Sequence, residues 1–109
     1  MSQALAWIAL IVAGLLDVGW AIAMKNADGY TRLGWSLISL LLLAAFVFLL
    51  GRALQVLEVG IAYAVWTGIG AAGTVLMGAL LFGETLGLMK IAGIVLVLAG
   101  IGALKLAST

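Results

Sequence analysis

The sequence predicts an all-α integral membrane protein with four transmembrane helices in each chain. Of its 109 residues, 67% are hydrophobic and only 8% are charged, which leaves too little polar surface for a soluble domain. Polar loops divide the chain into four apolar stretches, each near the ~20 residues that cross a bilayer as a helix. Helices are expected because a single apolar segment in lipid must satisfy its own backbone hydrogen bonds.

We take residues 1–109 as one four-helix transmembrane domain. The second and third spans carry no charge, whereas the first contains Asp17. The fourth has Lys90 and Lys105 near its ends, where long side chains can reach the polar headgroup region. In chain order, the predicted spans cover about residues 4–24, 33–50, 59–83 and 86–106.

The composition excludes several classes of function. The chain has neither cysteine nor histidine, so a thiolate or imidazole metal site, a disulfide and a histidine general base are all impossible. We therefore expect no enzyme, no metal and no cofactor. The net charge of +1 predicts no basic surface for nucleic acid. The segment "MSQALAWIAL" lacks a positive region, so we expect no cleaved signal peptide.

Lysines and arginines are distributed almost evenly between the two sides of the predicted bundle. Arg52 and Lys105 fall on the side of the N-terminus, and Lys25, Arg32 and Lys90 fall on the other. Since orientation follows these charges, such a weak bias allows insertion in both directions and antiparallel pairing of two copies. A single orientation set by the weak bias is the alternative.

Asp17 is the first candidate functional residue, because a carboxylate within hydrocarbon is costly unless it faces protein or water. On a helix it shares a face with Gly14, which leaves room, and with Trp20, which supplies an aromatic wall. No other charge is predicted at mid-membrane depth, so a proton or a cation is the expected partner. A structural aspartate bonded to a neighbouring helix is the alternative.

The third span contains "YAVWTGIG", which places Tyr63 and Trp66 on one helix face. Aromatic faces attract cations, and both side chains can donate hydrogen bonds, so Tyr63 is a candidate donor to Asp17. Gly68 and Gly70 follow, and they favour either a bend or close helix packing. We assign Trp7, Tyr30 and Trp35, the aromatic residues near other span ends, to the membrane interface.

The fourth span favours association with another helix. Gly93 and Gly100 lie one heptad apart with alanines beside them, which forms a small-residue stripe. Four helices are also too few to enclose a substrate path and shield it from lipid, so an oligomer is expected. Packing within the chain is the alternative explanation of the stripe.

Together, these motifs resemble the small multidrug resistance family of four-helix exporters. The resemblance covers nearly the whole chain and depends on the acid in span one, "AMKNADGYTRL", "GIAYAVWTGIGAAG" and "LFGETLGLMKIAGIVLVLAGIGALKL". It implies an antiparallel dual-topology homodimer in the inner membrane that exchanges protons for cations.

By this resemblance, Asp17 takes the family's central acid position, with Tyr63 and Trp66 at its aromatic positions. Trp20 is similar to the guanidinium-exporter subtype, since broad drug exporters usually have glycine there. The resemblance also implies a kink at Gly68 and Gly70 and a dimer contact at Gly93 and Gly100.

The chain departs from the family pattern at three positions. Asp17 replaces the usual glutamate, Phe46 stands where a serine commonly holds the acid or the ligand, and Glu58 replaces a proline before span three. If Trp20 and Phe46 both line the site, small or flat cations are favoured. The predicted function is thus proton-coupled export of guanidinium-type cations. A broad quaternary ammonium exporter, a non-transporting or heteromeric partner subunit and an engineered variant are the alternatives.

Overall fold

The chain folds into four long helices, which confirms the predicted all-α membrane architecture. The computed structural model describes residues 2–108, and over this range no strand is present. All four helices are long and apolar enough to cross a membrane. Their bounds are α1 Gln3–Asn26, α2 Leu33–Leu54, α3 Val59–Phe82 and α4 Leu88–Ser108.

Several helix boundaries differ by a few residues from the predicted spans, and two of the differences have a clear local cause. Helix α2 continues past residue 50 to Leu54, because a single Gly51 does not end a helix and Arg52 in the last turn interacts favourably with the helix dipole. Helix α4 begins at Leu88 and not at residue 86, since residues 83–87 form an irregular connection after α3. Apolar composition locates a span, whereas local turn chemistry decides where its helix begins and ends.

Local backbone chemistry ends the helices on the side of the two longer connections. After α1, Asp28, Gly29 and Tyr30 all adopt positive φ, which reverses the chain toward α2. Helix α3 ends at Gly83, whose φ of 66° is the left-handed conformation that glycine adopts readily. At the other end of the bundle, the Ser2 hydroxyl caps α1 by accepting the Leu5 N–H at 3.2 Å.

Glycines allow α1 and α3 to pack at very short range along a contact that we call the α1–α3 seam. A Cβ added to Gly14 would lie 2.7 Å from Ile69 Cγ2, and one added to Gly73 would lie 2.6 Å from Val18 Cγ2. Real side chains do not tolerate such distances, so the seam requires glycine at both positions. Helix α2 packs mainly on α1, and α4 packs mainly on α3.

The hydrophobic core lies at the end of the bundle where α1 and α3 begin and α2 ends. Trp7 is 5% exposed and packs there with Leu10 and Val65. The Lys105 ammonium lies 4.8 Å above the Trp7 ring. Trp7 is therefore inside the protein and not an interfacial residue as predicted, whereas Tyr30 and Trp35 are 50% and 38% exposed.

Gly14→Ala should weaken the α1–α3 seam, because the new methyl group overlaps the stiff, branched Ile69 side chain. We expect a loss of about 1–3 kcal/mol in the free energy of unfolding, measured by SDS titration in mixed micelles. Gly19→Ala is the matched control on the same helix, since its Cβ would be 3.4 Å from Leu42, an ordinary contact. Equal stability of the two variants would contradict the close approach.

Candidate functional site

Asp17 lies in the middle of α1, and its carboxylate rests directly against the backbone of α3 at Gly70. A Cβ at Gly70 would overlap Asp17 Oδ2 and lie 3.2 Å from its Cγ, so only glycine leaves room for the carboxylate. Gly70 is itself buried, and Asp17 is half-buried. The α1–α3 seam thus places an acid against a helix backbone and leaves its other side toward a cavity.

Within residues 2–108, Asp17 has neither an ion pair nor a hydrogen bond to another side chain. The alternative of a structural aspartate bonded to a neighbouring helix therefore has no support in this chain's own contacts. A half-buried carboxylate without a partner retains its capacity to accept hydrogen bonds and to bind a positive charge.

A cavity of about 480 Å³ opens beside Asp17 and runs between α1 and α3 toward the α3–α4 connection. Its walls are mostly apolar, with hydroxyl groups from α3 and a second carboxylate at its far end. The residues that line it are Asp17, Trp20, Ala21, Thr67, Gly70, Ala71, Thr74, Val75 and Glu84.

Four aromatic rings form a continuous row behind this cavity. Trp20 packs edge to face on Phe46 at 5.7 Å, and Phe46 packs on Trp66 at 5.6 Å. Tyr63 completes the row with its ring 5.5 Å from Trp66. The indole N–H groups of Trp20 and Trp66 are buried and have no hydrogen-bond partner among the described residues. Such unsatisfied donors are rare in folded proteins.

The structure brings some of the predicted site residues together and separates others. Trp20 lines the cavity with Asp17, and Gly14 lies in the seam one turn above. Phe46 is 4% exposed and does not face lipid, but it lies behind Trp20 and does not line the cavity. Tyr63 is 60% exposed, and its hydroxyl makes no hydrogen bond to Asp17 in the part of the chain described.

The two predicted glycine pairs have different surroundings. Helix α3 is unbroken through Gly68 and Gly70, and both approach neighbouring groups closely, Gly68 at 3.0 Å from Ile101 Cδ1 for an added Cβ. Their role as a hinge stays a prediction. A Cβ added to Gly93 or Gly100 meets nothing within 4 Å, and each glycine lines an open groove between α3 and α4.

Sequence reasoning missed the cavity's remaining polar residues. Thr67 and Thr74 are two helical turns apart on the face that includes Gly70, and this spacing was the available signal. The Thr67 hydroxyl donates to the Tyr63 carbonyl at 2.7 Å, which leaves its oxygen available as an acceptor. Glu84 offered no such signal, because it lies in the short connection between the predicted spans 59–83 and 86–106.

Glu84 forms an ion pair with Lys25, at the end of the bundle away from the core. The Lys25 Nζ lies 2.6 Å from Glu84 Oε2, and the two side chains are 53% and 44% exposed. The hydrogen bond and the charge of Lys25 lower the pKa of the Glu84 carboxyl below its ordinary value. The pair therefore persists throughout the neutral range and is lost only when acid protonates Glu84 below that ordinary value.

Comparison with known proteins places this chain among membrane exporters. Residues 5–97 match the family model described as Small Multidrug Resistance protein. A "Guanidinium exporter" of Yersinia pseudotuberculosis serotype I (strain IP32953) is 54% identical over 104 residues, which cover 95% of this chain and 100% of that protein. Proteins of the same name from Citrobacter freundii and Proteus vulgaris are 44% and 41% identical over 95% of this chain and 99% and 100% of their own lengths. With its four spans and its intramembrane acid, the chain belongs to the small multidrug resistance family.

Proposed function

We propose that this protein is a multi-pass inner-membrane antiporter that exports small organic cations, guanidinium-type compounds first, in exchange for protons. The observation that carries the proposal is Asp17, an unpaired carboxylate at mid-membrane depth beside an aromatic-walled cavity. The names of the relatives support guanidinium as the substrate. The site offers acceptor, aromatic and hydroxyl groups without a nucleophile–base pair, which supports transport and not an enzyme reaction.

A single carboxylate explains coupling, because a proton and a cation compete for the same negative charge. Leaving Asp17 ionised and empty within the bilayer costs roughly 3 kcal/mol or more, so the protein favours states in which one ligand is bound. A cation entering from one side therefore displaces a proton, and a proton from the other side displaces the cation. Exchange follows from this competition without a second ionisable group at the same depth.

Guanidinium suits the groups around Asp17. Its planar ion can meet the carboxylate with two N–H groups while its face stacks on Trp20. The hydroxyl oxygens of Thr67 and Thr74 face the same cavity and can accept further N–H groups. The aromatic wall lies on one side and the acceptors lie on another. This arrangement favours a flat cation that carries hydrogen-bond donors at its edge.

The size of the cavity favours a second candidate function, export of larger hydrophobic or quaternary ammonium cations. Its volume of about 480 Å³ exceeds what a bare guanidinium ion fills. Substituted guanidinium ions with small apolar groups would use the additional apolar wall, and larger aromatic drugs would require Trp20 and its backing rings to move. We therefore rank guanidinium-type compounds above bulky drugs.

The working unit in this proposal is an antiparallel homodimer of two chains inserted in opposite orientations. Helix α4 packs mainly on α3, and its membrane-spanning stretch has no fully buried residue within the described chain. The α3–α4 groove has a volume of about 820 Å³ and is lined by Gly68, Gly100, four alanines and larger aliphatic side chains such as Leu96. Its small residues offer a surface that another helix can approach closely. The weak lysine and arginine bias supports both orientations.

Asp17→Asn keeps the size of the side chain and removes its charge. We expect it to abolish guanidinium-driven proton movement in proteoliposomes. Asparagine carries no negative charge, so the site can bind neither a proton nor a cation by charge neutralisation. The variant should still fold, since Asp17 contributes no ion pair to the fold. Guanidinium-coupled proton flux at the wild-type rate in this variant would refute the proposed mechanism, because coupled transport would then not depend on the Asp17 carboxylate.

Phe46→Ser should improve binding of guanidinium-type ions, because loss of the ring opens space behind Trp20 and the new hydroxyl lies beside two buried indole N–H groups. We expect a lower half-saturating guanidinium concentration. Loss of the buried ring should also lower the free energy of unfolding, by up to about 5 kcal/mol. Phe46→Ala is the control, because it opens the same space without the hydroxyl. Identical guanidinium affinity in both variants would show that position 46 does not act through a polar group.

Gly100→Leu should weaken association of two chains while each chain still folds. A Cβ at this position meets nothing within 4 Å in the monomer, so loss of the dimer would report a contact between chains. Gly102→Leu is the matched control, since it is equally open but lies off the stripe formed by Gly93 and Gly100. Cross-linking of single-cysteine variants at opposite ends would test orientation, and exclusively parallel pairs would contradict the antiparallel arrangement.

A further inference from the structure

Glu84 is folded back onto α3 and does not extend away from the bundle. The positive φ of Gly83 reverses the chain, and the Glu84 N–H then donates to the Gly78 carbonyl at 3.3 Å. The Glu84 carboxylate lies directly over Gly78, where an added Cβ would overlap it. Two glycines thus hold this carboxylate against the helix, at the end of the cavity that contains Asp17.

The Glu84 carboxylate binds the ammonium group of Lys25, which is itself an organic cation. The Lys25 ammonium hydrogen-bonds to Glu84 at 2.6 Å and lies 4.5 Å above the centroid of the Phe82 ring. A carboxylate combined with an aromatic face is a general way to bind an organic cation. Lys90, the other cation close to Glu84, is engaged by the Thr85 carbonyl at 2.6 Å.

The space around Glu84 adjoins the cavity of Asp17. A smaller cavity of about 50 Å³ lies between Lys25 and Phe82, and it shares Ala21, Thr74 and Glu84 with the larger one. A cation leaving Asp17 toward this end of the bundle would therefore meet Thr74 and then Glu84. The opposite end of the bundle is occupied by the hydrophobic core around Trp7, whereas the Asp17 cavity extends to Glu84.

We propose that Glu84 and Phe82 form a second organic-cation site at the mouth of the Asp17 cavity, and that Lys25 occupies this site until a substrate cation displaces it. The proposal depends on the transport function proposed above and adds to it a binding site outside the membrane centre. Exchange is feasible because both partners of the ion pair are about half exposed, and such pairs are weak. The cation is the same in both sites, a guanidinium or substituted ammonium ion.

Competition gives the two partners opposite effects on substrate affinity. Removing Lys25 frees the site, so the half-saturating concentration of guanidinium should fall. Removing the Glu84 carboxylate destroys the site, so that concentration should rise. A purely structural ion pair predicts a change of the same sign for both variants, because each loses the same contact.

The experiment compares Lys25→Gln and Glu84→Gln in the full-length protein. Initial guanidinium-evoked currents in proteoliposomes on a solid-supported membrane give the half-saturating guanidinium concentration. We expect it to fall about two- to fivefold for Lys25→Gln and to rise about two- to fivefold for Glu84→Gln, the range set by an exposed ion pair. Stability, measured by SDS titration, should decrease slightly in both variants, because both lose an exposed ion pair.

Two matched controls exclude effects of charge alone. Arg32→Gln removes one positive charge from the same side of the membrane, so it alters the orientation bias as Lys25→Gln does. Asp28→Asn removes a carboxylate from that side, and asparagine tolerates the positive φ of 51° at this position. Neither residue lines the two cavities, and we expect the half-saturating concentration to stay at the wild-type value in both controls.

Three results would overturn the second site. These are affinity changes of the same sign in the Lys25 and Glu84 variants, wild-type affinity in both, or equal changes in the controls. In each case the wild-type protein still transports guanidinium, so the function assigned to Asp17 stands. Conversely, wild-type protein that evokes no current would refute the transport proposal itself. Direct binding of guanidinium to the Asp17→Asn variant, lost on adding Glu84→Gln, would then still support the second site.

Discussion

The close contact between α1 and α3 is the constraint on which the rest of the structure depends. Side chains on one helix occupy space that glycine leaves open on the other, with Val18 over Gly73 and Asp17 over Gly70. The contact places the acid against a backbone and leaves the space beside it as the cavity. Small residues therefore do here what interlocking large side chains do in soluble cores, since lipid provides no hydrophobic force between helices.

The two ends of the bundle differ in the chemistry that holds them together. At one end, Trp7 and its apolar neighbours exclude water, and Lys105 covers the indole ring. At the other end, the exposed pair of Lys25 and Glu84 joins the last turn of α1 to the α3–α4 connection. Apolar packing is hard to exchange for another partner, whereas an exposed ion pair exchanges readily. The same four helices thus combine a stable end with an end suited to opening.

Sequence reasoning predicted the four helices and the central acid because both signals are local. Hydropathy identifies a span without its neighbours, and a lone carboxylate in such a span is conspicuous. The groups of α3 that surround Asp17 were not predictable, since the register of α1 against α3 is not encoded within either helix. For the same reason Trp7 was assigned to the interface and is buried, and the pairing of Lys25 with Glu84, 59 residues apart, was missed.

The contact between the Asp17 carboxylate and the Gly70 backbone also bears on leakage. One side of the carboxylate is covered by protein, so a ligand can approach only from the cavity side. A bound guanidinium would then stand between the carboxylate and any water in the cavity, and a bound proton would leave no charge to hold a cation. In the proposed mechanism, mutual exclusion of proton and cation would thus be steric as well as electrostatic. A carboxylate open on both sides would instead permit a proton to pass behind a bound cation, and the gradient would dissipate without export.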